Sequence, residues 1–185
     1  MKHEPNSITP EELIAQYGEK LLRYATSILC NHQDGEDVVQ DIFISYFQNA
    51  HRYDIKNLSA WLYKMTYNHC LNKLKSIKRR RLLFFEDIKE TPAVYMEDNL
   101  TMSEIKSVLQ QLKPKERALL YGRTVNGQSY EELSHILGAS PAALRKQYER
   151  VKKKAAKYLD AYNYGTAEPH HVTSVCTGQN GRGRM

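Results

Sequence analysis

Glycine and proline are scarce, nine and six of 185 residues, and β-branched clusters are few. That disfavours a chain built on turns and short strands and makes an all-α protein the economical reading. The three cysteines, Cys30, Cys70 and Cys176, are widely separated and odd in number. They offer neither a disulfide framework nor a metal-ligand spacing, which fits a reducing cytoplasm. No run approaches the roughly 18 apolar residues that a membrane span needs. The first residues, MKHEPNSITPEEL, lack the apolar core of a signal peptide. A soluble, cytoplasmic protein with no membrane insertion is expected. Acidic residues are outnumbered, 21 against 27 Lys and Arg, for a net charge of +6. That balance favours a polyanionic partner without choosing among DNA, RNA and membrane.

What is present is helical periodicity and segregated charge. Seven Lys/Arg and no acid lie between Lys64 and Arg81. Between Arg145 and Lys157 seven more face only Glu149. Acid gathers instead at residues 34–41 and 86–104. A first helix is expected after Thr9-Pro10, with Leu13, Ile14, Tyr17, Leu21, Leu22, Ala25, Ile28 and Leu29 on its apolar face. A second, roughly Asp34–Ala50, would bury Val39, Ile42, Phe43, Tyr46 and Phe47, with Asp34 as its cap. A third, roughly Leu58–Arg81, follows a polar stretch at 51–57. The periodicity fails over 82–99 and resumes at 101–112. After Tyr164 the tail is polar, Gly-rich and patternless, and is expected to be disordered.

The segment 114–157 carries the most local information. Pro114 suits a first helical position, and Asn126-Gly127 supplies a stop. Ser129 and Glu132 have capping-box spacing ahead of Leu133, Ile136 and Leu137. Gly138 permits a tight turn, Ser140 can cap the next helix, and Pro141 can open it. That helix would put Leu144, Tyr148, Val151 and Ala155 on one side and Arg145, Lys146, Arg150, Lys153 and Lys154 on the others. The pattern is that of a helix-turn-helix with a basic second helix suited to the major groove.

Across Leu13–Leu159 the chain resembles the extracytoplasmic-function type of bacterial RNA polymerase sigma factor. In the first half, DGEDVVQDIFISYF followed by NLSAWLYKMTYNHCLNKLKSIKRRR looks like region two of that family. In the second, LKPKERALLYGRTVNGQSYEELSHILGASPAALRKQYERVKKK looks like region four. The resemblance implies an all-α protein of two small helical domains. Residues 1–81 would form region two, 82–99 a flexible linker and 100–162 region four, leaving 163–185 as the tail. It also implies a protein that binds core RNA polymerase, recognises two elements of promoter DNA and opens it. Such a protein has no catalytic site and no cofactor, and an anti-sigma factor is an expected partner. An 18-residue linker could bridge about 60 Å if fully extended.

The resemblance assigns roles residue by residue. Asp37, Val38, Gln40 and Asp41 would meet a coiled coil of the polymerase's largest subunit; residue chemistry alone allows these acids simply to complement a helix dipole. For the minus-ten element the candidates are Arg52, Tyr53, Lys56 and Asn57 in the loop, then Asn68, Asn72, Lys73 and Lys75 on the third helix. Aromatic side chains there, Tyr53, Tyr63 and Tyr67 among them, could stack bases while Lys and Arg neutralise phosphate. Trp61 has the position of a core residue, and Tyr67, Leu71 and Leu74 also keep core spacing. Many relatives carry Asp where Asn72 stands, which leaves the base preference there open. For the minus-thirty-five element the candidates are Ser140, Ala143, Arg145, Lys146, Gln147, Arg150 and Lys153. Relatives often have Thr at Ala143 and Ser at Lys146, which suggests a different site sequence.

Two other classes fit parts of the pattern. A one-component transcriptional regulator would use the same reader with a ligand-binding or dimerising front half, and would leave the basic third helix unemployed. A recombinase or nuclease would need a nucleophile or a carboxylate-metal cluster. Thirteen Tyr and the acids at 34–41 make no recognisable catalytic constellation. His170-His171 with Cys176 is weak as a metal site, and none is expected.

Overall fold

The structure, a computed structural model, describes residues 8–49, 57–84 and 100–163. Among these are seven helices and no strand: α1 (Pro10–Leu29), α2 (His32–Asn49), α3 (Leu58–Phe84), α4 (Leu100–Gln110), α5 (Pro114–Thr124), α6 (Tyr130–Leu137) and α7 (Pro141–Asn163). Helices α1–α3 form a front module and α4–α7 a rear one.

Local chemistry sets most of the helix ends. Thr9 and Glu12 close a capping box at α1: Thr9 Oγ1 accepts from the Glu12 N–H at 3.2 Å, and the Thr9 N–H donates to the Glu12 carboxylate at 3.0 Å. Ser129 and Glu132 repeat the device at α6, at 3.1 and 2.7 Å. Gly138 then ends α6 in the left-handed region at φ 63°, where a side chain would be strained. At α2 the cap is Asn31, whose Oδ1 accepts from the Asp34 N–H at 3.0 Å. The helix therefore starts two residues before its expected first residue, and Asp34 is spared for another partner. Helix α3 runs three residues past Arg81 and takes the first residues assigned to the linker; residues 85–99 lie outside the described residues.

In the front module, Leu13, Leu21, Ala25 and Ile28 of α1 meet Val38, Val39, Ile42 and Phe43 of α2 and Leu62, Tyr67 and Cys70 of α3. Tyr24 is fully buried among them, though the apolar count of α1 had passed it over. Conversely Ile14 and Phe47, expected inside, are 51% and 39% exposed. Tyr63, expected to be available for stacking, is buried, and so is Tyr67, whose spacing is that of a core residue. Burial pushes the Tyr63 phenol up to about 12 and raises that of Tyr67. Trp61 is half-buried against the core, its ring 5.7 Å from that of Tyr46.

In the rear module Leu119, Leu133, Ile136, Leu137, Leu144 and Val151 are buried. Helices α5 and α6 approach closely at Gly122, where a Cβ would come within 2.7 Å of Gln128 Oε1 and Leu133 Cδ2. The two modules then pack on each other, α5 against α1 and α6 against α3, and their buried side chains form one continuous apolar cluster. Arg117 of α5 fastens the seam. Its Nη1 donates to the Ile28 carbonyl at 2.6 Å, while its Nε donates to Leu112 O at 2.9 Å in its own module. The Tyr24 ring sits 5.2 Å from that of Tyr63 and 6.0 Å from that of Tyr121. Its hydroxyl is buried there without a hydrogen-bond partner.

Candidate nucleic-acid interface

The reading helix α7 begins as its sequence dictates. Pro141 is its first residue, and Ser140 Oγ accepts from the Ala143 N–H at 3.3 Å. Leu144 and Val151 anchor the inner face. On the outer face Ser140, Ala143, Arg145, Lys146, Arg150 and Lys153 are exposed, and Gln147 is half-buried. Arg145, Lys146, Glu149 and Arg150 line a shallow concavity. The one acid in it is engaged by a neighbour, with Lys152 Nζ 3.2 Å from Glu149 Oε2. Lys154, counted with the basic sides of the helix, is tied back to α5 by Glu116 at 3.1 Å. Burial pushes the Glu116 carboxyl up, but the Lys113 N–H and the Lys154 ammonium together outweigh it and lower it.

Tyr130, the first residue of α6, lies under this face. The Arg123 and Arg145 guanidinium carbons lie 4.6 and 5.3 Å from the centre of its ring. Sequence reasoning had no reason to single it out, since it stands fifteen residues from Arg145 and on another helix.

On α3, Asn68, Asn72 and Lys75 are exposed and recur at helical spacing. Lys64 and Arg79 extend the same exposed row at either end. Both were legible from that spacing, and neither was among the position-matched candidates. Lys73 leaves the row: it turns toward α2, with Nζ 2.9 Å from Asp37 Oδ2 and 3.2 Å from Asp34 Oδ1. The Asp37 hydrogen bond, with help from Asp34, raises its pKa against the opposing effect of burial. Asn57 caps α3, its Oδ1 accepting from the Ala60 N–H at 2.9 Å. Arg52, Tyr53 and Lys56 lie outside the described residues.

On α2, Asp37, Gln40 and Asp41 are exposed along one side, and Ile44 continues it with 48% of its surface open. Val38, expected beside them, points the other way: it is 3% exposed and packs in the core. Among the described residues no group of His, Cys, Asp or Glu could hold a metal ion, and no helix is long and apolar enough to cross a membrane.

Comparison with known proteins gives the family. Residues 13–81 match the family model for Sigma-70 region 2, and residues 102–154 that for Sigma-70, region 4. The chain is 27% identical over 166 residues to the ECF RNA polymerase sigma factor SigE of Mycolicibacterium smegmatis, an alignment covering 85% of this chain and 64% of that protein. It is 24% identical over 157 residues to the ECF sigma factor SigM of Mycobacterium tuberculosis, covering 84% and 79%. Among solved structures it is similar in fold to the sigma factor RpoE of Bartonella quintana, bound there to the anti-sigma factor NepR. The TM-score is 0.68 at 21% identity, over 81% of this chain and 96% of that one. A TM-score of 0.63 at 24% identity relates it to CnrH in complex with the cytosolic domain of CnrY, over 82% and 88%. With both conserved regions present in order, each on its own helical module, the chain belongs to the sigma-70 family of RNA polymerase sigma factors, in its extracytoplasmic-function branch.

Proposed function

We propose that this protein binds core RNA polymerase and directs transcription initiation at particular promoters by recognising two DNA elements and opening one of them. The observation that carries this reading is the outer face of α7. A capped, Pro-initiated helix presents Arg145, Lys146, Arg150 and Lys153, and Glu149, the acid among them, is held by Lys152. Arg and Lys read guanine edges, Gln reads adenine, and cations farther along meet phosphate. We assign Ser140, Ala143, Arg145, Lys146 and Gln147 to the upstream element, with Arg150 and Lys153 toward the backbone.

The exposed row of Asn68, Asn72 and Lys75 is assigned to the opened strand, where amides read base edges and the ammonium meets phosphate. Asp37, Gln40 and Asp41 are assigned to the polymerase; this is a polar side of α2, and Ile44 adds an apolar contact beside it. The protein adds no chemistry of its own: it selects where the polymerase's own catalysis begins. It works in the cytoplasm, and an anti-sigma factor that covers these surfaces is its expected restraint.

The test is run-off transcription with purified core polymerase on fragments of the host chromosome. Discrete transcripts that depend on added protein are expected, and Asp37→Ala with Gln40→Ala should abolish them while the fold persists. Their absence with a folded, full-length sample would defeat the proposal.

A further inference from the structure

Arg145 is long, flexible and exposed, and a side chain of that kind loses rotamer freedom whenever it fixes on a base edge. The structure shows what limits that loss. The Tyr130 ring lies 5.3 Å from the Arg145 guanidinium carbon, within the range of cation–π attraction. The ring is itself fixed. It stands at the capped start of α6, where the Ser129–Glu132 box holds the backbone. It meets the Tyr148 ring edge-on, with centroids 6.3 Å apart. Arg123 packs over it at 4.6 Å and is anchored in turn by a hydrogen bond to the Gln128 carbonyl.

We infer that Tyr130 is a positioning residue for base recognition, holding the Arg145 guanidinium in place before DNA arrives. It contributes to which upstream element is chosen without touching a base. The inference rests on the reading of α7 given above and deepens it. Two guanidinium groups share one ring, so each resists the approach of the other. That repulsion favours a pose with Arg145 turned outward, toward the concavity it lines with Lys146, Glu149 and Arg150.

The experiment uses the full chain reconstituted with core polymerase, on a synthetic promoter duplex that it prefers and on the same duplex with the upstream element scrambled. Arg145→Ala first identifies the base pair whose substitution no longer matters. Tyr130→Leu keeps the apolar body and removes the ring face. It should lower the preference for that base pair about two- to fivefold, as loss of an exposed cation–π contact implies. Affinity for the scrambled duplex should not change. Tyr130→Phe, with its ring intact, should retain the preference, and Tyr130→Leu should add nothing to Arg145→Ala. Additive losses in the double variant, or an equal loss on both duplexes, would overturn the inference. If Arg145→Ala itself weakens both duplexes equally, the base-reading role of Arg145 fails and the specificity role of Tyr130 falls with it. If Arg145→Ala is base-specific and Tyr130→Leu is silent, Tyr130 alone is refuted. Thermal unfolding of each variant, expected to match the parent, separates these outcomes from misfolding.

Discussion

Lys73 Nζ donates a 2.9 Å hydrogen bond to Asp37 Oδ2, so an ammonium expected on DNA is held by a carboxylate expected on the polymerase. Asp34 joins from the other side at 3.2 Å. One cation thus relieves the repulsion of two acids a single helical turn apart, and it links the two faces of the front module.

Lys73→Met should therefore act unlike a phosphate contact. The salt dependence of strand capture by the reconstituted enzyme should be unchanged. Lys75→Ala, which removes an exposed ammonium from the α3 row, should lower the log–log slope by about 0.7. The effect of Lys73→Met should appear in urea unfolding instead, as a loss of about 0.5–1 kcal/mol, the range of exposed ion-pair networks. Asp37→Asn should largely remove the difference between Lys and Met at position 73. A slope that falls with Lys73→Met would return Lys73 to the DNA.

Arg117 should be the costliest side chain to lose at the seam between the modules. Arg117→Ala removes charged hydrogen bonds to Ile28 O and Leu112 O, each worth about 1.5–3 kcal/mol. With one continuous apolar cluster the parent chain should unfold in a single transition, which in Arg117→Ala should broaden or split in two. Arg117→Lys should not restore it, because one ammonium cannot span acceptors that the planar guanidinium fork reaches together. An unchanged, single transition in Arg117→Ala would show that the seam does not depend on it.

Glu116 gives the rear module a pH dependence of definite sign. Its folded pKa lies below the ordinary carboxylate value, so its contribution is complete above the unfolded value of about 4.3. That contribution declines as pH falls through the lower folded value, when the proton displaces Lys154 and the Lys113 N–H. Glu116→Gln should lose stability at pH 7 and show a flatter acid limb below about pH 4.3 than the parent. Chemical unfolding at a series of pH values reads both, and identical acid limbs would dismiss the assignment.

The parts legible in the sequence were those whose cause is local. The Ser129–Glu132 box, the Gly138 turn, Pro141 and the Leu144–Val151 stripe each act within a few residues, and each stands where the spacing placed it. Asn31 was missed at α2 because Asp34 is also a good cap, and only the partner across the groove, Lys73, decides between them. Val38 and Tyr24 show the same limit from another side. Helical spacing gives the width of an apolar face, but neighbouring helices decide which margin of it closes. The Arg117–Ile28 bond joins residues 89 apart in sequence, and no local pattern announces such a pair. Tyr130 was hidden for the same reason: its partner lies on the next helix, across a turn.

The unsatisfied phenol of Tyr24 has a consequence for the front bundle. A buried hydroxyl without an acceptor costs about 1–3 kcal/mol. Tyr24 is fully enclosed and its nearest titratable neighbours, Cys70, Tyr67 and Tyr63, all stand on α3, so that penalty falls on the packing of α1 against α3. The first three helices therefore cohere less strongly than their hydrocarbon content implies.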